Sequence, residues 1–280
     1  MDTLAARTPP PAAAPALASG DAPAWRRAWQ ALHGRQPVLA RYGAALLLLL
    51  LPMALAAGLD PRELRGASVW IKPMKFALSI AVLAWTTAWF IGHLLPEQRN
   101  SRAVRWIVAL VIASGSFEFV YIALQAALGQ ASHYNVGDAF HGTMYTLMGI
   151  GAMVLTATQP MLAWQLRRHA DPSRPAALRL AVQFGLVLTF VLGAGAGMLL
   201  GGLQPPDAVA GASVPLAGWS LSGGDLRPAH FIGIHAEQVL PLAVLLGARA
   251  GRLPTAAVWL LAAAWTALFA VALIWGLPTR

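Results

Sequence analysis

Seven apolar runs dominate this chain: residues 38–59, 76–95, 103–128, 140–162, 178–200, 229–248 and 256–277. Each has close to the ~20 residues that an α-helix needs to cross ~30 Å of hydrocarbon. The runs are continuously apolar rather than alternating in segments of about ten, so helices are expected and a β-barrel is not. The expectation is an all-α, polytopic membrane protein: a bundle of seven transmembrane helices. Composition agrees. Hydrophobic residues make up 58% of the 280 and charged residues 11%, whereas a soluble domain carries about 25% charge. The net charge of +9 does not point to nucleic acid, because the arginines sit between apolar runs rather than on a polar face. The partner that such loops meet is the lipid bilayer. The chain has no cysteine, which excludes disulfides, thiolate zinc sites, cysteine-ligated iron–sulfur clusters and c-type haem attachment.

Turn-forming residues bound most of the runs. Asp60-Pro61 follows the first, Pro96-Glu97 the second and Gly129-Gln130 the third, and Gly251-Arg252-Leu253-Pro254 separates the sixth from the seventh. Residues 1–37 read as a disordered Pro/Ala-rich tail, too long and proline-rich for a signal-peptide n-region. Within it, Trp25-Arg26-Arg27-Ala28-Trp29 is a candidate interfacial helix. Residues 38–277 make the membrane domain. The N-terminal tail and the second, fourth and sixth connections hold 14 of the 20 Lys and Arg residues, and the opposite side holds 6. By the positive-inside rule the N-terminus is cytoplasmic and the C-terminus outside. The first connection, with Arg62, Arg65, Lys72 and Lys75, runs against that rule. Richness in Ala, Gly, Pro and Arg fits a GC-rich bacterial genome, and a multi-pass place in the bacterial inner membrane is expected.

With this orientation the outer side carries the chemically rich connections: residues 66–75, 129–138 and 201–228. The last is longer than most loops of compact domains. Inside the runs an ionisable group costs at least about 2.5–3.5 kcal/mol at mid-bilayer, so each one present is informative. Glu118 lies about 15 Å from the outer end of the third run at 1.5 Å per residue, close to the midplane. Ser114, Glu118, Tyr121 and Gln125 recur at intervals of four, three and four, forming one helical stripe. His141 opens the fourth run, with Tyr145 and Met148 below it on the same face. The sixth run carries His230, His235, Glu237 and Gln238. At 100° per residue Glu237 falls about 20° from His230, with His235 and Gln238 about 140° and 80° away, so this helix is expected at the bundle centre. Pro241 removes the N–H that would bond the Glu237 carbonyl, which loosens the backbone beside that carboxylate. Many membrane proteins build a midplane site from such an interrupted helix.

Ordinary readings compete with functional ones at several positions. Lys72 and Lys75, in Trp70-Ile71-Lys72-Pro73-Met74-Lys75-Phe76, stand at a span edge where snorkelling to headgroups is the default and lining a pocket the second reading. His133 is in a loop, where solvation is expected ahead of ligation. His141 and His230 stand evenly between interface and functional histidines, while His33, His93 and His169 read as interface residues on the inner side. Asp225 and Arg227 are expected to pair or to cap the sixth helix. Gly193-Ala194-Gly195-Ala196-Gly197 has no preceding strand, so it is no dinucleotide loop. The spacing Gly193/Gly197/Gly201 points instead to close helix packing. Trp25, Trp29, Trp70, Trp106, Trp164 and Trp275 fall near predicted interfaces, as belt residues do.

Histidine plus carboxylate without thiolate suits zinc, iron or manganese. His141, His230 and His235, with Glu118 or Glu237 as fourth ligand or base, would bind a metal that activates water against a small apolar or amphipathic substrate from the outer side. Lys72, Lys75, Tyr121, Gln125, His133, Asp138, Tyr145, Asp225, Arg227 and Gln238 are the candidate lining residues. This arrangement resembles in outline the seven-span intramembrane metal hydrolases of the adiponectin-receptor and alkaline-ceramidase superfamily. Those combine a Ser-xxx-His element, an aspartate and a His-xxx-His pair in the last span. Here the pair is His230-xxxx-His235 in the sixth span, and the last span has no histidine, so membership is not assigned. A second version of the site is a b-type haem held by His141 and either His230 or His235, which would make the chain a quinone- or electron-handling oxidoreductase. The rival class is a proton-coupled transporter or channel using Glu118 and Glu237, with the histidines as relay groups. No convincing internal repeat supports transport, and the lack of a lysine in the seventh run disfavours a rhodopsin. A purely structural subunit ranks third, because both carboxylates lie deep.

Overall fold

The computed structural model describes residues 23–203, 212–214, 217–249, 251 and 253–278. The Pro/Ala-rich tail before residue 23 and part of the 201–228 connection lie outside the described residues. The chain is helical almost throughout. Helix α1 (Ala24–Arg35) covers the Trp/Arg stretch and buries none of its residues. α2 (Pro37–Leu48) starts with Pro37 in its first turn and with Gln36 Oε1 accepting from the Val38 N–H at 3.1 Å. α3 (Leu50–Leu59) continues it after a break at Leu49. Pro52 explains that break, because it cannot donate to the Leu48 carbonyl four residues back.

α4 (Ile71–Ile91), α5 (Arg102–Ala127) and α6 (Ala139–His169) follow. Ser101 caps α5 through the Val104 N–H and Asp138 caps α6 through the His141 N–H. Next come α7 (Ala176–Leu188), a π-helical turn (Thr189–Ala194) and α8 (Gly195–Leu203). α9 (Arg227–Ile234) and α10 (Ala236–Gly247) meet at a bend, and α11 (Thr255–Gly276) closes the chain. Six stretches are long and apolar enough to cross a membrane, and α9 with α10 passes the same test as one bent pair. Large apolar side chains such as Leu51, Leu59, Leu260 and Ile274 are 70–75% exposed. Left in water, that surface would be unfavourable at ~25 cal/mol per Å², a cost that acyl chains remove. The chain is thus all-α and of multi-pass membrane type.

Two details differ from the expected runs. The second helix begins at Ile71 rather than 76, so Lys72 and Lys75 belong to its first turns. Pro73 fits there because first-turn N–H groups need no intrahelical partner. The fourth helix runs on to His169, past the expected end at 162. The sequence also hid a small antiparallel hairpin, β1 (Glu63–Leu64) with β2 (Ala67–Ser68). Its two-residue turn has Arg65 at φ 57° and Gly66 at φ 73°, the pair of positive angles that a type I′ turn requires.

Hydrogen bonds sort the connections onto two ends of the bundle. At one end Leu95 N donates to His169 O at 3.0 Å and Asp171 N to His93 O at 2.8 Å, while Arg35 reaches Trp89 O. At the other, Arg62 reaches Ala127 O, Lys75 reaches Ala217 O, Tyr134 reaches Leu200 O and Gly224 N reaches Trp275 O. The largest apolar core, including Leu39, Phe90, Ile107, Leu162, Leu186 and Leu240, spans α2, α4, α5, α6, α7, α10 and α11. Toward the second end the buried apolar groups break up into small clusters, and buried polar groups take their place.

Candidate functional site

The helix break is the first element of the site. α9 and α10 meet at His235 with a bend of 54°. The sequence placed the loosened backbone beside Glu237, four residues before Pro241, and Pro241 itself lies inside α10. The break is six residues earlier because neighbouring helices satisfy the backbone there. Thr189, which begins the π-helical turn, uses its hydroxyl twice: it accepts from Glu237 N at 3.0 Å and donates to Ile234 O at 3.3 Å. Trp265 of α11 donates to Ile232 O at 3.1 Å. Close packing makes this possible. A Cβ on Gly233 would stand 2.7 Å from Gly193 N, and one on Gly185 2.7 Å from Glu237 Cα. The glycine spacing expected to serve helix packing does so at Gly193, where a Cβ would meet Ile234 at 2.7 Å.

Glu237 occupies the first turn of α10 and is fully buried. Gln238 Nε2 donates to Glu237 Oε1 at 2.8 Å and to Thr86 Oγ1 of α4 at 3.2 Å. With its amide nitrogen so used, Gln238 Oε1 accepts from His235 Nδ1 at 3.1 Å. Glu237 Oε2 is buried and has no hydrogen-bond partner among the described residues.

Glu118 forms a second buried acid on α5, 3% exposed. Ser114, Tyr121 and Gln125 are buried with it, so the polar stripe faces the bundle interior. Glu118 Oε1, Tyr121 Oη and Gln125 Oε1 all lack hydrogen-bond partners among the described residues. Glu118 Oε1 lies against α6, where a Cβ on Gly151 would stand 3.1 Å away. Lys72, in the first turn of α4, is within Coulombic range of Glu118, and Arg65 and Lys75 are within range of Lys72.

Above this acid, His133 is half-buried between Phe76 (ring centroids 5.8 Å) and Tyr145 (6.0 Å). His133, expected in solvent, is thus partly shielded by these rings. Burial, with the charges of Lys72 and Arg65, pushes its pKa down to about 3. Tyr134 lies 5.2 Å from Tyr145, and burial raises its pKa to about 12. Tyr145 Oη donates to Gly201 O at 3.1 Å.

The remaining candidates are held in hydrogen bonds. His141 lies beside its own helix cap, with Nδ1 2.5 Å from Asp138 Oδ2 and Nε2 3.1 Å from Gln130 Oε1. His230 Nδ1 donates to Gly193 O at 2.9 Å. Asp225 and Arg227 pair at 2.7 Å, and Asp225 also accepts from Ser220 N and Arg227 N. Burial alone would raise the Asp225 pKa, but these bonds outweigh it and hold the carboxyl below its usual range. Lys75 is exposed and bonds Ala217 O.

Among the described residues no three His, Asp or Glu side chains group closely enough to hold a metal ion. His141, His230, His235 and Glu118, expected as ligands, are not brought into one set. His230 lies in α9 and His235 at the bend itself, and the angular reading that put Glu237 beside His230 presumed a single straight helix. Among the described residues the donors therefore do not fit a metal centre.

Thr86 and Thr189 were missed in the sequence reading, as was Gln159, whose Oε1 is buried without a partner among the described residues. A polar residue inside an apolar run was the available signal for each. No protein-family model, curated protein or solved structure matches this chain.

Proposed function

We propose that this chain is a seven-span protein of the bacterial inner membrane, N-terminus cytoplasmic and C-terminus outside, that carries protons through Glu237 and Glu118 as a proton-coupled transporter or channel. The seven-span count takes α9 and α10 as one broken span. The connections then alternate between the two ends of the bundle, and the end holding Arg35, Arg99, Arg167, Arg168 and Arg174 faces the cytoplasm. The polar end, with Lys72, His133 and Tyr145, opens outward and is where a small amphipathic solute would enter.

One observation carries the reading: Glu237 stands in the first turn of a half-helix, at a break repaired by Thr189, with one carboxylate oxygen unpartnered among the described residues. The dipole at the start of α10 favours a charged carboxylate there, while the dry surroundings favour the protonated one. A group poised between those two forms can take and release a proton, which is how intramembrane carboxylates serve pumps and transporters. Gln238 and Thr86 hold the acid in place and tie it to α4.

The test uses proteoliposomes loaded with a pH-sensitive dye and a potassium diffusion potential, negative inside, set by valinomycin. Wild-type vesicles are expected to acidify faster than protein-free ones, and Glu237→Gln to return the rate to the protein-free level. A wild-type rate equal to that of empty vesicles, or an unchanged rate in folded Glu237→Gln, overturns the reading.

A further inference from the structure

At the arginine-rich end the bundle holds a cavity that proton transfer does not use. It lies where α6 ends and α7 and α11 begin, has a volume of about 480 Å³, and is lined by Arg167, Arg168, Arg179 and Gln183 together with Leu166 and Leu180. Three arginines line it, and no Asp or Glu is among its described lining residues. Arg179 Nε is buried and has no hydrogen-bond acceptor among the described residues. A buried charged donor without an acceptor is costly, and an anion from outside the chain would remove that cost.

The backbone adds to the same field. Ala176, the first residue of α7, lines the cavity. That helix starts after Pro175, which offers no side-chain cap, and its first turn has no acidic residue. Its free N–H groups and the positive end of its dipole therefore remain available to an anion. Arg168 lies over the Trp164 ring at 4.7 Å, an arrangement suited to interface depth. Leu166 and Leu180 supply an apolar wall beside the cationic rim.

We propose that this cavity binds a phosphate group, carried either by an anionic phospholipid headgroup or by a soluble phosphate, with Arg167, Arg168 and Arg179 as its donors. The site is independent of Glu237 and stands whether or not protons are carried.

Delipidated protein in maltoside detergent is titrated with phosphatidylglycerol, inorganic phosphate or phosphatidylcholine. Thermal unfolding is followed together with native mass spectrometry. Retained phosphatidylglycerol with a raised Tm identifies the lipid source; stabilisation by inorganic phosphate alone identifies the soluble one. Affinity is expected to fall about fivefold in Arg179→Gln, the effect of one arginine at a membrane surface. Arg179→Lys keeps the charge and should keep most of the binding. Leu180→Trp fills the cavity without changing charge and should abolish it. Arg102→Gln, at the same end but outside the cavity, should bind as wild type. Failure of phosphatidylglycerol and phosphate alike, unchanged binding in Leu180→Trp, or an equal loss in Arg102→Gln overturns the proposal.

Discussion

Glu237 and Glu118 are the same residue type, both buried in the bundle, yet they are held in opposite ways. Glu237 is fixed by its backbone: Thr189 caps its N–H, Gly185 packs against its Cα, and Gln238 occupies one carboxylate oxygen. Glu118 sits in a continuous helix, faces the side of Gly151, and meets Lys72 through charge rather than through a hydrogen bond. A broken helix needs neighbours to repair it and so locks its acid in place. An unbroken helix needs no such repair, and its acid is left to side-chain electrostatics. The first arrangement is specific; the second leaves three polar atoms on one stripe unpartnered among the described residues.

The contrast can be broken first at its glycines. Gly185→Ala drives a Cβ to 2.7 Å from Glu237 Cα and 3.0 Å from Ala236 O, both backbone. A loss of about 3 kcal/mol is expected, read as a fall in detergent Tm. Gly151→Ala meets only Glu118 Oε1 at 3.1 Å and the Phe117 ring at 3.3 Å. Those side chains can move, so less than about 1 kcal/mol is expected there. Equal Tm losses would remove the claim that one acid is held by backbone and the other is not.

Thr189→Val should cost about 2 kcal/mol in the same melt, because the Glu237 N–H and Ile234 carbonyl would be buried without partners. A neutral result would mean that the break repairs itself another way.

Acid should act through His133, which borders the Glu118 side. Its folded pKa of about 3 lies below the reference 6.5, so between those values the unfolded chain binds a proton that the folded chain does not. Stability from this group is full above about pH 6.5 and declines as pH falls toward about 3. Because the ring is half-buried, solvent screens part of the effect. His133→Phe should flatten that portion of the Tm–pH curve, and an unaltered slope would exclude the assignment.

The smallest change is expected at Lys75→Met. This residue is exposed and makes one bond to Ala217 O, so the shift should stay within about 0.5 kcal/mol. Lys72→Met removes the cation facing Glu118 and should shift Tm further than Lys75→Met does. The reverse order would place Lys72 in solvent.

What could be read without coordinates follows a physical boundary. The stripe of Ser114, Glu118, Tyr121 and Gln125 was legible because α5 is one unbroken helix, and residue spacing within such a helix sets direction. The same arithmetic misjudged the sixth run, because a 54° bend at His235 separates His230 from Glu237. Pro241 was a reasonable suspect, since proline always removes a donor, but the lost bond alone did not decide where the helix gave way. Metal ligation was inferred from residue types; the imidazoles instead face Asp138, Gln130, Gly193 and Gln238.

The sequence by itself determined the apolar helices, their approximate ends and the burial of the two acids, because hydrophobic length and helical period are local properties. Only the tertiary structure decided what each acid meets. Thr189 is 48 residues from Glu237 and Thr86 is 152 from Gln238, and the approach of α7 that allows the first depends on glycines that carry no side chain at all. Those partners are chosen by how helices pack, and packing is a property of surfaces brought together from distant parts of the chain.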